Sequence, residues 1–246
     1  MNASATYRAR IYEKYSTNFQ DAMPTFDMVA SRRWARAYRH YFRGWFPDRK
    51  DAAIVDVGCG AGNLLHHFRE RGYRNIRGVD VSPEQVQISR QVVPDVAEEN
   101  ALEYLERNKE TFDLITGLDI IEHLHKPEVL RLLDAALAAL KPDGRLILQT
   151  PNAESPWGTM HRYNDFTHEL SFNPNALSRL MTLTGFTRIE AREMGPVPWG
   201  HSVASTLRAG IWQTFRGVFK VWNLAEFGTT GSGIFTRVFL ISGVKR

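Results

Sequence analysis

The sequence has very little cysteine: Cys59 is the one cysteine among 246 residues. A single cysteine cannot form an intramolecular disulfide, which excludes a disulfide-stapled secreted domain and indicates a reducing compartment. Long apolar runs are missing as well, since no stretch approaches the roughly 18 apolar residues that cross a bilayer. The first residues also lack the apolar core of a signal peptide. We therefore expect a cytoplasmic protein, and peripheral contact with the inner face of the membrane stays open.

Charge of either sign is not in large excess. Lys and Arg number 31 and Asp and Glu number 27, which gives a net charge of +4 and a sequence pI of about 9.3. This mild positive charge permits anionic partners such as phosphorylated glycans or lipid headgroups without selecting one. We expect no nucleic-acid partner. The hydrophobic share of 43% is that of an ordinary globular domain.

The pattern of apolar residues predicts one domain, 1–246, made of three regions. Residues 1–50 predict a helical cap, with a basic helix that opens at Pro24–Thr25, ends near Trp45 and packs on the main sheet. Residues 51–152 alternate short apolar strands with helices, which predicts an α/β fold with a doubly wound, mostly parallel sheet. Residues 153–246 carry a helix (176–186), two late strands (187–193 and 234–244) and, between those strands, an insertion over 194–233.

The strongest local motif is DVGCGAGN, from Asp56 to Asn63, between a predicted strand and a predicted helix. Glycines at Gly58, Gly60 and Gly62 let the backbone turn sharply and approach a ligand closely, and the helix start adds unpaired N–H groups. The dinucleotide fingerprint G-x-G-x-x-G requires its third glycine at position 63, which is asparagine here. The motif therefore predicts a nucleoside-type ligand but disfavours a dehydrogenase.

Polar residues follow the strands on either side of this loop. Asp80 ends the second strand, where a carboxylate can hydrogen-bond ribose hydroxyls; its alternative is a surface turn, with Ser82 as the helix cap. Asn100 and Asp119 end the third and fourth predicted strands. Because the carboxyl ends of parallel strands share one edge, one nucleoside could contact all of these positions.

These segments resemble the class I S-adenosylmethionine-dependent methyltransferases. DVGCGAG is similar to the first motif of that family, GVDVSPEQV to the second, and ENALEYL, FDLITGLDIIEHL and LKPDGRLILQTPN to its later strand segments. The resemblance covers about 51–152. It implies S-adenosyl-L-methionine as cofactor, a seven-stranded sheet with an antiparallel last strand, and a place near the adenine for Asn100 and Ala101. The residues that it implies for cofactor binding are Asp56, Gly58, Gly60, Gly62, Asp80, Asn100, Ala101 and Asp119.

Methyl transfer to a hydroxyl needs a base near the cofactor, and two segments offer one. Glu122-His123 follows the fourth strand, although a purely structural role is also consistent with its place. HRYNDFTHE concentrates His161, Asp165 and His168 in the connection after the fifth strand. The catalytic candidates are therefore His123, His161, Asp165 and His168. We expect no metal, because neither H-E-x-x-H nor C-x-x-C spacing occurs.

The acceptor stays open between several classes. The site after the fourth strand reads LDII instead of the Asn/Asp-Pro-Pro-aromatic segment of base-modifying N-methyltransferases, which favours a hydroxyl. YNDFTHELSFNP resembles bacterial cell-surface glycan methyltransferases and implies a saccharide or lipid-linked glycan, as in O-antigen or polysaccharide biosynthesis. The alternatives are a small aromatic or quinone-like hydroxyl, and a non-catalytic cofactor-binding partner subunit.

Residues 203–224 predict an amphipathic helix within the insertion. Leu207, Ile211 and Phe215 begin an apolar stripe at helical spacing, and Arg216 and Lys220 lie off that stripe. Such a helix packs on the domain as a lid or contacts an anionic membrane. The oligomeric state cannot be predicted from this pattern.

Overall fold

A computed structural model describes residues 3–15, 17, 25–199 and 201–246. Its centre is one seven-stranded sheet. The strands are β1 (Ala53–Val57), β2 (Asn75–Asp80), β3 (Val96–Glu98), β4 (Phe112–Leu118), β5 (Leu140–Pro151), β6 (Thr187–Glu193) and β7 (Val238–Val244). Their order across the sheet is β3-β2-β1-β4-β5-β7-β6, and β7 runs antiparallel to both of its neighbours. The predicted sheet, including the antiparallel last strand, is confirmed.

Helices cover both faces of the sheet. They are α1 (Ala3–Tyr12), α2 (Met28–Tyr41), α3 (Asn63–Glu70), α4 (Pro83–Ser89), α5 (Ala101–Arg107), α6 (Lys126–Ala139), α7 (Gly158–Tyr163), α8 (Pro174–Leu183) and α9 (Val203–Phe227), with a 3-10 turn at Ile121–His123. Successive strand residues alternate between two apolar cores, so Ile54 packs with α2, α3 and α4, while Val55 packs with α5, α6 and α8. Parallel strands that are buried on both sides are mostly apolar, and all five residues of β1 are buried, with Asp56 as the one charged residue among them.

The predicted basic helix is α2, and it packs against the body as expected. Asp27 caps it by accepting hydrogen bonds from the N–H groups of Val29 and Ala30, both at 2.9 Å. It therefore begins after the predicted start, of which Pro24 lies outside the described residues, and it ends at Tyr41 instead of Trp45. Of the predicted apolar side, Tyr38, Tyr41, Phe42 and Trp45 are buried, but Met28, Val29 and Trp34 are exposed. The prediction was wrong for those three: the first turns contact α3 through Ser31, which is buried and whose Oγ lies 2.9 Å from His66 Nδ1.

The residues Pro142-Asp143-Gly144 are typical of a turn, but they lie inside β5. Asp143 has a positive φ of 60°, and the register with β4 shifts at this point. One residue in the left-handed conformation bulges the strand without ending it.

The insertion forms α9, which begins at the predicted residue and extends to Phe227. The connection between β5 and α8 also holds the short helix α7, which the sequence pattern did not reveal. Among the described residues, no helix combines the length and the apolar character that crossing a membrane requires.

Candidate active site

The glycine motif forms a sharp loop between β1 and α3. Gly58, Gly60 and Gly62 have φ values of 67°, 52° and 87°, a backbone region in which side chains other than glycine are strained. The N–H of Gly58 donates to the carbonyl of Val79 at 2.8 Å, which ties the loop to β2. A Cβ at Gly58 would lie 3.1 Å from Ile120. The loop thus presents bare backbone at the carboxyl edge of the sheet.

Asp80 connects this loop to the next helix. Its Oδ2 accepts a hydrogen bond from the N–H of Gly60 and its Oδ1 accepts one from the N–H of Ser82, both at 2.9 Å. Burial raises the pKa of Asp80, whereas these amide donors act to lower it. Ser82 is the N-cap residue of α4, as predicted, but its side chain makes no capping hydrogen bond. The carboxylate of Asp80 thus fixes the backbone of the glycine loop and of the residue before α4, and it also lines the cavity.

The ends of β3 and β4 supply the next polar groups. The Oδ1 of Asn100 accepts from the N–H of Leu102 at 2.9 Å and caps α5, which is a structural role that the sequence motif did not indicate. Asp119 has a positive φ of 54°, and its Oδ2 accepts from the Nε2 of Gln149 at 2.6 Å. Burial raises the pKa of Asp119. Asn100 and Asp119 line the same cavity.

Asp56 lies at the floor of this cavity. Its Oδ1 accepts a hydrogen bond from the Oγ1 of Thr116 at 2.6 Å, across β1 and β4. Burial raises the pKa of Asp56 to about 7, although the bond from Thr116 acts to lower it. The side chain therefore holds the strands together at the point where the glycine loop begins.

One cavity of about 1260 Å³ opens at this edge. Ligand pockets of about 300–1,000 Å³ hold a drug-sized molecule, so this volume accommodates a nucleoside and a second reactant. Seven of the eight predicted cofactor residues line it: Asp56, Gly58, Gly60, Asp80, Asn100, Ala101 and Asp119. Gly62 does not, because it turns the chain into α3 and packs so closely on Ser89 that a Cβ would lie 3.1 Å from that residue. Bare backbone, a buried carboxylate and an amide in one cavity suit an adenosyl group.

Comparison with known proteins identifies the family to which this chain belongs. Residues 28–191, more than half of the chain, match the family described as a methyltransferase domain. The chain belongs to this family. This assignment agrees with the class I S-adenosylmethionine-dependent methyltransferases that the motifs resemble.

Individual relatives of this methyltransferase are distant. The ubiquinone biosynthesis O-methyltransferase of Haemophilus ducreyi is 31% identical over 109 residues, which cover 40% of this chain and 45% of that protein. The chain thus spans about half the length of this relative. The protein of the same name from Xylella fastidiosa is 27% identical over 183 residues, covering 65% of this chain and 71% of its own. The crystal structure of an Archaeoglobus fulgidus methyltransferase shares the fold, with a TM-score of 0.62, 18% identity, and 96% and 99% coverage of the two chains.

Three of the predicted catalytic residues meet at the wall of the cavity. His123 Nδ1 lies 2.8 Å from Thr167 Oγ1, and that hydroxyl donates to Asp165 Oδ1 at 2.6 Å. Because the hydroxyl hydrogen goes to the carboxylate, its oxygen accepts from Nδ1–H, and the Nε2 of His123 keeps its lone pair. Burial, and then the neighbouring His168, lower the pKa of His123 to about 4. His123 is therefore neutral at physiological pH.

His168 packs edge-on against His123, with 4.7 Å between the ring centroids. Its Nδ1 lies 2.8 Å from the backbone carbonyl of His161. A carbonyl oxygen only accepts, so Nδ1 carries the hydrogen and Nε2 holds the lone pair. The ring of His161 also lines the cavity, where burial lowers its pKa. Burial raises the pKa of Asp165, but the hydrogen bonds from Thr167 and Tyr15 outweigh it and leave that pKa below its ordinary value.

Glu122 is a buried carboxyl that the sequence pattern placed beside His123 without assigning a use. Its Oε2 accepts from Thr150 Oγ1 at 3.1 Å, whereas its Oε1 has no hydrogen-bond partner among the described residues. Burial raises the pKa of Glu122 well above its ordinary value, and the nearby Asp119 raises it further. Glu122, His123 and His168 each offer one ligand atom, all within 4.8 Å of one another, and so could hold a cation. Sequence spacing could not find this set because His168 is remote in the chain; the expectation of a metal-free enzyme stays a prediction.

Sequence reasoning missed the contribution of the N-terminal segment. Tyr12 and Tyr15 line the cavity beside His123, and the hydroxyl of Tyr15 donates to Asp165 Oδ2 at 2.7 Å. Arg8 anchors this segment through an ion pair with Glu128 at 2.9 Å. These partners lie more than a hundred residues apart in the chain, so no local signal could have found them.

Proposed function

We propose that the protein transfers a methyl group to a hydroxyl oxygen, with His168 as the general base. The hydrogen bond from His168 Nδ1 to the His161 carbonyl carries this proposal, because it leaves the Nε2 lone pair at the cavity wall. A hydroxyl must lose its proton as its oxygen becomes methylated, and an imidazole nitrogen within reach can take it. His161 contributes chiefly the carbonyl that orients His168.

S-adenosylmethionine supplies an activated methyl group on a sulfonium. The chain's task is to hold acceptor and donor in line, which can account for much of the acceleration. We assign the cofactor to the glycine loop and Asp80 for the ribose, and to Asn100 and Ala101 for the adenine. Asp119, at the centre of the edge, is left for the amino-acid end of the cofactor.

His123 serves the reaction by staying neutral. A second positive charge beside His168 would oppose protonation of His168 during turnover. Burial of His123 prevents that charge, and the chain through Thr167 to Asp165 holds its ring in place. We therefore class His123 and Asp165 as positioning residues for His168.

We propose a small aromatic, quinone-like hydroxyl as the acceptor. We take the part of the cavity around His123 and His168 as the acceptor side, and its wall includes the rings of Tyr12 and Tyr15. Flat rings pack favourably on such surfaces. The names of the relatives above, ubiquinone biosynthesis O-methyltransferases, support the same acceptor class.

A saccharide hydroxyl is the second candidate. Tyr163 and Phe166 lie in the same connection as His161 and Asp165, and both rings are more than three-quarters exposed. Exposed rings beside a cavity can support the apolar face of a sugar. This candidate retains the same base and the same cofactor residues.

Methyl transfer from labelled S-adenosylmethionine to catechol, hydroxybenzoate and sugar-nucleotide probes tests the proposal. We expect turnover with the aromatic hydroxyls, and His168→Gln should lower kcat by about 10²–10⁴-fold. The affinity for S-adenosylhomocysteine should stay unchanged in this variant. His40→Gln, which changes a half-buried histidine of α2 that does not line the cavity, is the matched control.

Three results would contradict the proposal in different ways. Full activity in His168→Gln would remove His168 as the base. Tight cofactor binding without turnover of any probe would favour the non-catalytic partner subunit. Methylation of the sugar probes alone would transfer the proposal to the saccharide acceptor.

A further inference from the structure

The helix α9 packs on the body with one face only. Trp212 Nε1 donates to Glu193 Oε2 at 3.3 Å, and Arg216 Nε forms an ion pair with the same carboxylate at 3.1 Å. Nearer its start, the hydroxyl of Ser205 donates to the carbonyl of Val197 at 2.7 Å. These contacts define the inner face and leave the opposite face without a partner within the described chain.

The outer face of α9 is apolar along its length. Its large side chains are 51–67% exposed: Leu207, Ile211, Phe215, Val218, Val221 and Trp222. Together they present on the order of 700 Å² of surface, close to the roughly 800 Å² that each partner buries in a stable interface. Monomeric proteins seldom expose a continuous apolar patch of this size, so a partner is expected to cover it.

The charges around this face decide what the partner is. The sequence pattern placed Arg216 and Lys220 off the apolar stripe. In the structure Arg216 is turned inward onto Glu193, and Lys220 lies half-buried beside Gly233. The exposed charges of α9 are Arg208 and Glu226, one of each sign. A helix that lies on an anionic membrane needs a fringe of cations, which this face does not have.

Arg208 and Glu226 are instead arranged to complement a second copy. They lie nine residues before and nine residues after Gly217. Their separation of eighteen residues is five turns of about 3.6 residues, which places both on the same line along the helix. Trp222 Nε1 donates to Glu226 Oε2 at 2.9 Å and holds that carboxylate beside the apolar face.

We propose that two copies of this chain associate through α9, antiparallel about a two-fold axis near Gly217. Such an axis reverses the helix direction but keeps each flank on the same side. Arg208 of one copy therefore meets Glu226 of the second copy, and the reciprocal pair forms at the other end. Val218 lies nearest the axis, so the apolar face of one copy covers that of the other.

Sedimentation velocity of the full chain at micromolar concentration tests this dimer. We expect a dimer that dissociates on dilution, and Val218→Glu should give a monomer because two buried carboxylates would face each other near the axis. Leu183→Glu places the same charge on an exposed leucine at the end of α8 and should leave the dimer intact. Circular dichroism should show that both variants remain folded.

Charge reversal distinguishes the proposed pairing from non-specific apolar association. Arg208→Glu or Glu226→Arg alone should raise the dimer Kd roughly tenfold, because each change places like charges together at both ends. The double reversal should restore the wild-type Kd. Equal effects of the single and double reversals would overturn the antiparallel arrangement.

Flotation with phosphatidylglycerol vesicles tests whether the outer face of α9 binds a membrane surface instead. A wild-type chain that is monomeric at all concentrations would overturn the dimer. If that monomer also bound the vesicles, and Val218→Glu abolished the binding, the face would belong to a membrane surface.

Discussion

Substitution of Asp80 by asparagine separates a role in cofactor recognition from a role in holding the glycine loop. Asparagine keeps the size of the side chain and removes the charge. In the wild type the two carboxylate oxygens each accept one backbone N–H, from Gly60 and from Ser82. Each oxygen has a second lone pair, and the carboxylate lines the cavity, so it can also accept from a ribose hydroxyl.

The magnitude follows from the charge of the acceptor. A hydrogen bond to a charged group contributes about 1.5–3 kcal/mol, which is a factor of roughly 10–150 in affinity. We therefore expect wild-type protein to bind S-adenosylhomocysteine at least tenfold more tightly than its 2′-deoxy analogue. In Asp80→Asn this ratio should fall to within about threefold of unity.

Isothermal titration calorimetry with both ligands measures this ratio directly. The ratio is informative because any disturbance of the loop weakens both ligands by the same factor and cancels. Asp113→Asn is the matched control: Asp113 Oδ2 also accepts a backbone N–H, from Ala53 at 2.7 Å, but Asp113 lies at the opposite edge of the sheet. This variant should leave both affinities unchanged.

If Asp80→Asn still bound S-adenosylhomocysteine at least tenfold more tightly than the 2′-deoxy analogue, the ribose role of Asp80 would be refuted. Asp80 would then serve the loop alone, and the ribose would have to be bound by another group of the cavity.

Three further predictions concern other parts of the molecule. Burial lowers the pKa of His67 to about 4, so the folded state resists a proton that the unfolded chain binds near pH 6.5. This contribution to the stability of the fold is therefore complete above about pH 6.5 and is lost as the pH falls towards 4. Urea unfolding should show that His67→Phe removes up to about 3 kcal/mol of this acid loss; an unchanged pH dependence would contradict it. Gly58→Ala should lower the free energy of unfolding by about 1–2 kcal/mol, because φ is positive and the Cβ meets Ile120; unaltered thermal stability would speak against that strain. Tyr15→Phe should reduce kcat/KM for the acceptor about fivefold by removing the bond to Asp165, with cofactor affinity unchanged; a loss of cofactor affinity instead would place Tyr15 at the other end of the cavity.

The part of the cavity around the glycine loop could be predicted from the sequence because its signals are local. Gly58, Gly60 and Gly62 occupy a strand–loop–helix connection whose backbone only glycine adopts easily, and Asp80 ends the next strand. Alternating strands and helices then bring such strand ends to one edge, whatever the rest of the chain does. The same alternation predicted a mostly parallel sheet, and the family resemblance implied its seven strands.

The contacts around His123 could not be predicted from the sequence, because they depend on the tertiary structure. His123, Thr167 and Asp165 form one hydrogen-bonded chain, and Tyr15 reaches them from the N-terminal segment. No spacing rule links residues so far apart, because their contact is produced by the packing of separate elements.

The two faces of α9 show the same division. Helical periodicity in the sequence determined that an apolar stripe exists. Only the tertiary structure decided that this stripe faces outward and that Arg216 turns inward, because Glu193 on the neighbouring strand supplies the opposite charge that makes a half-buried guanidinium stable.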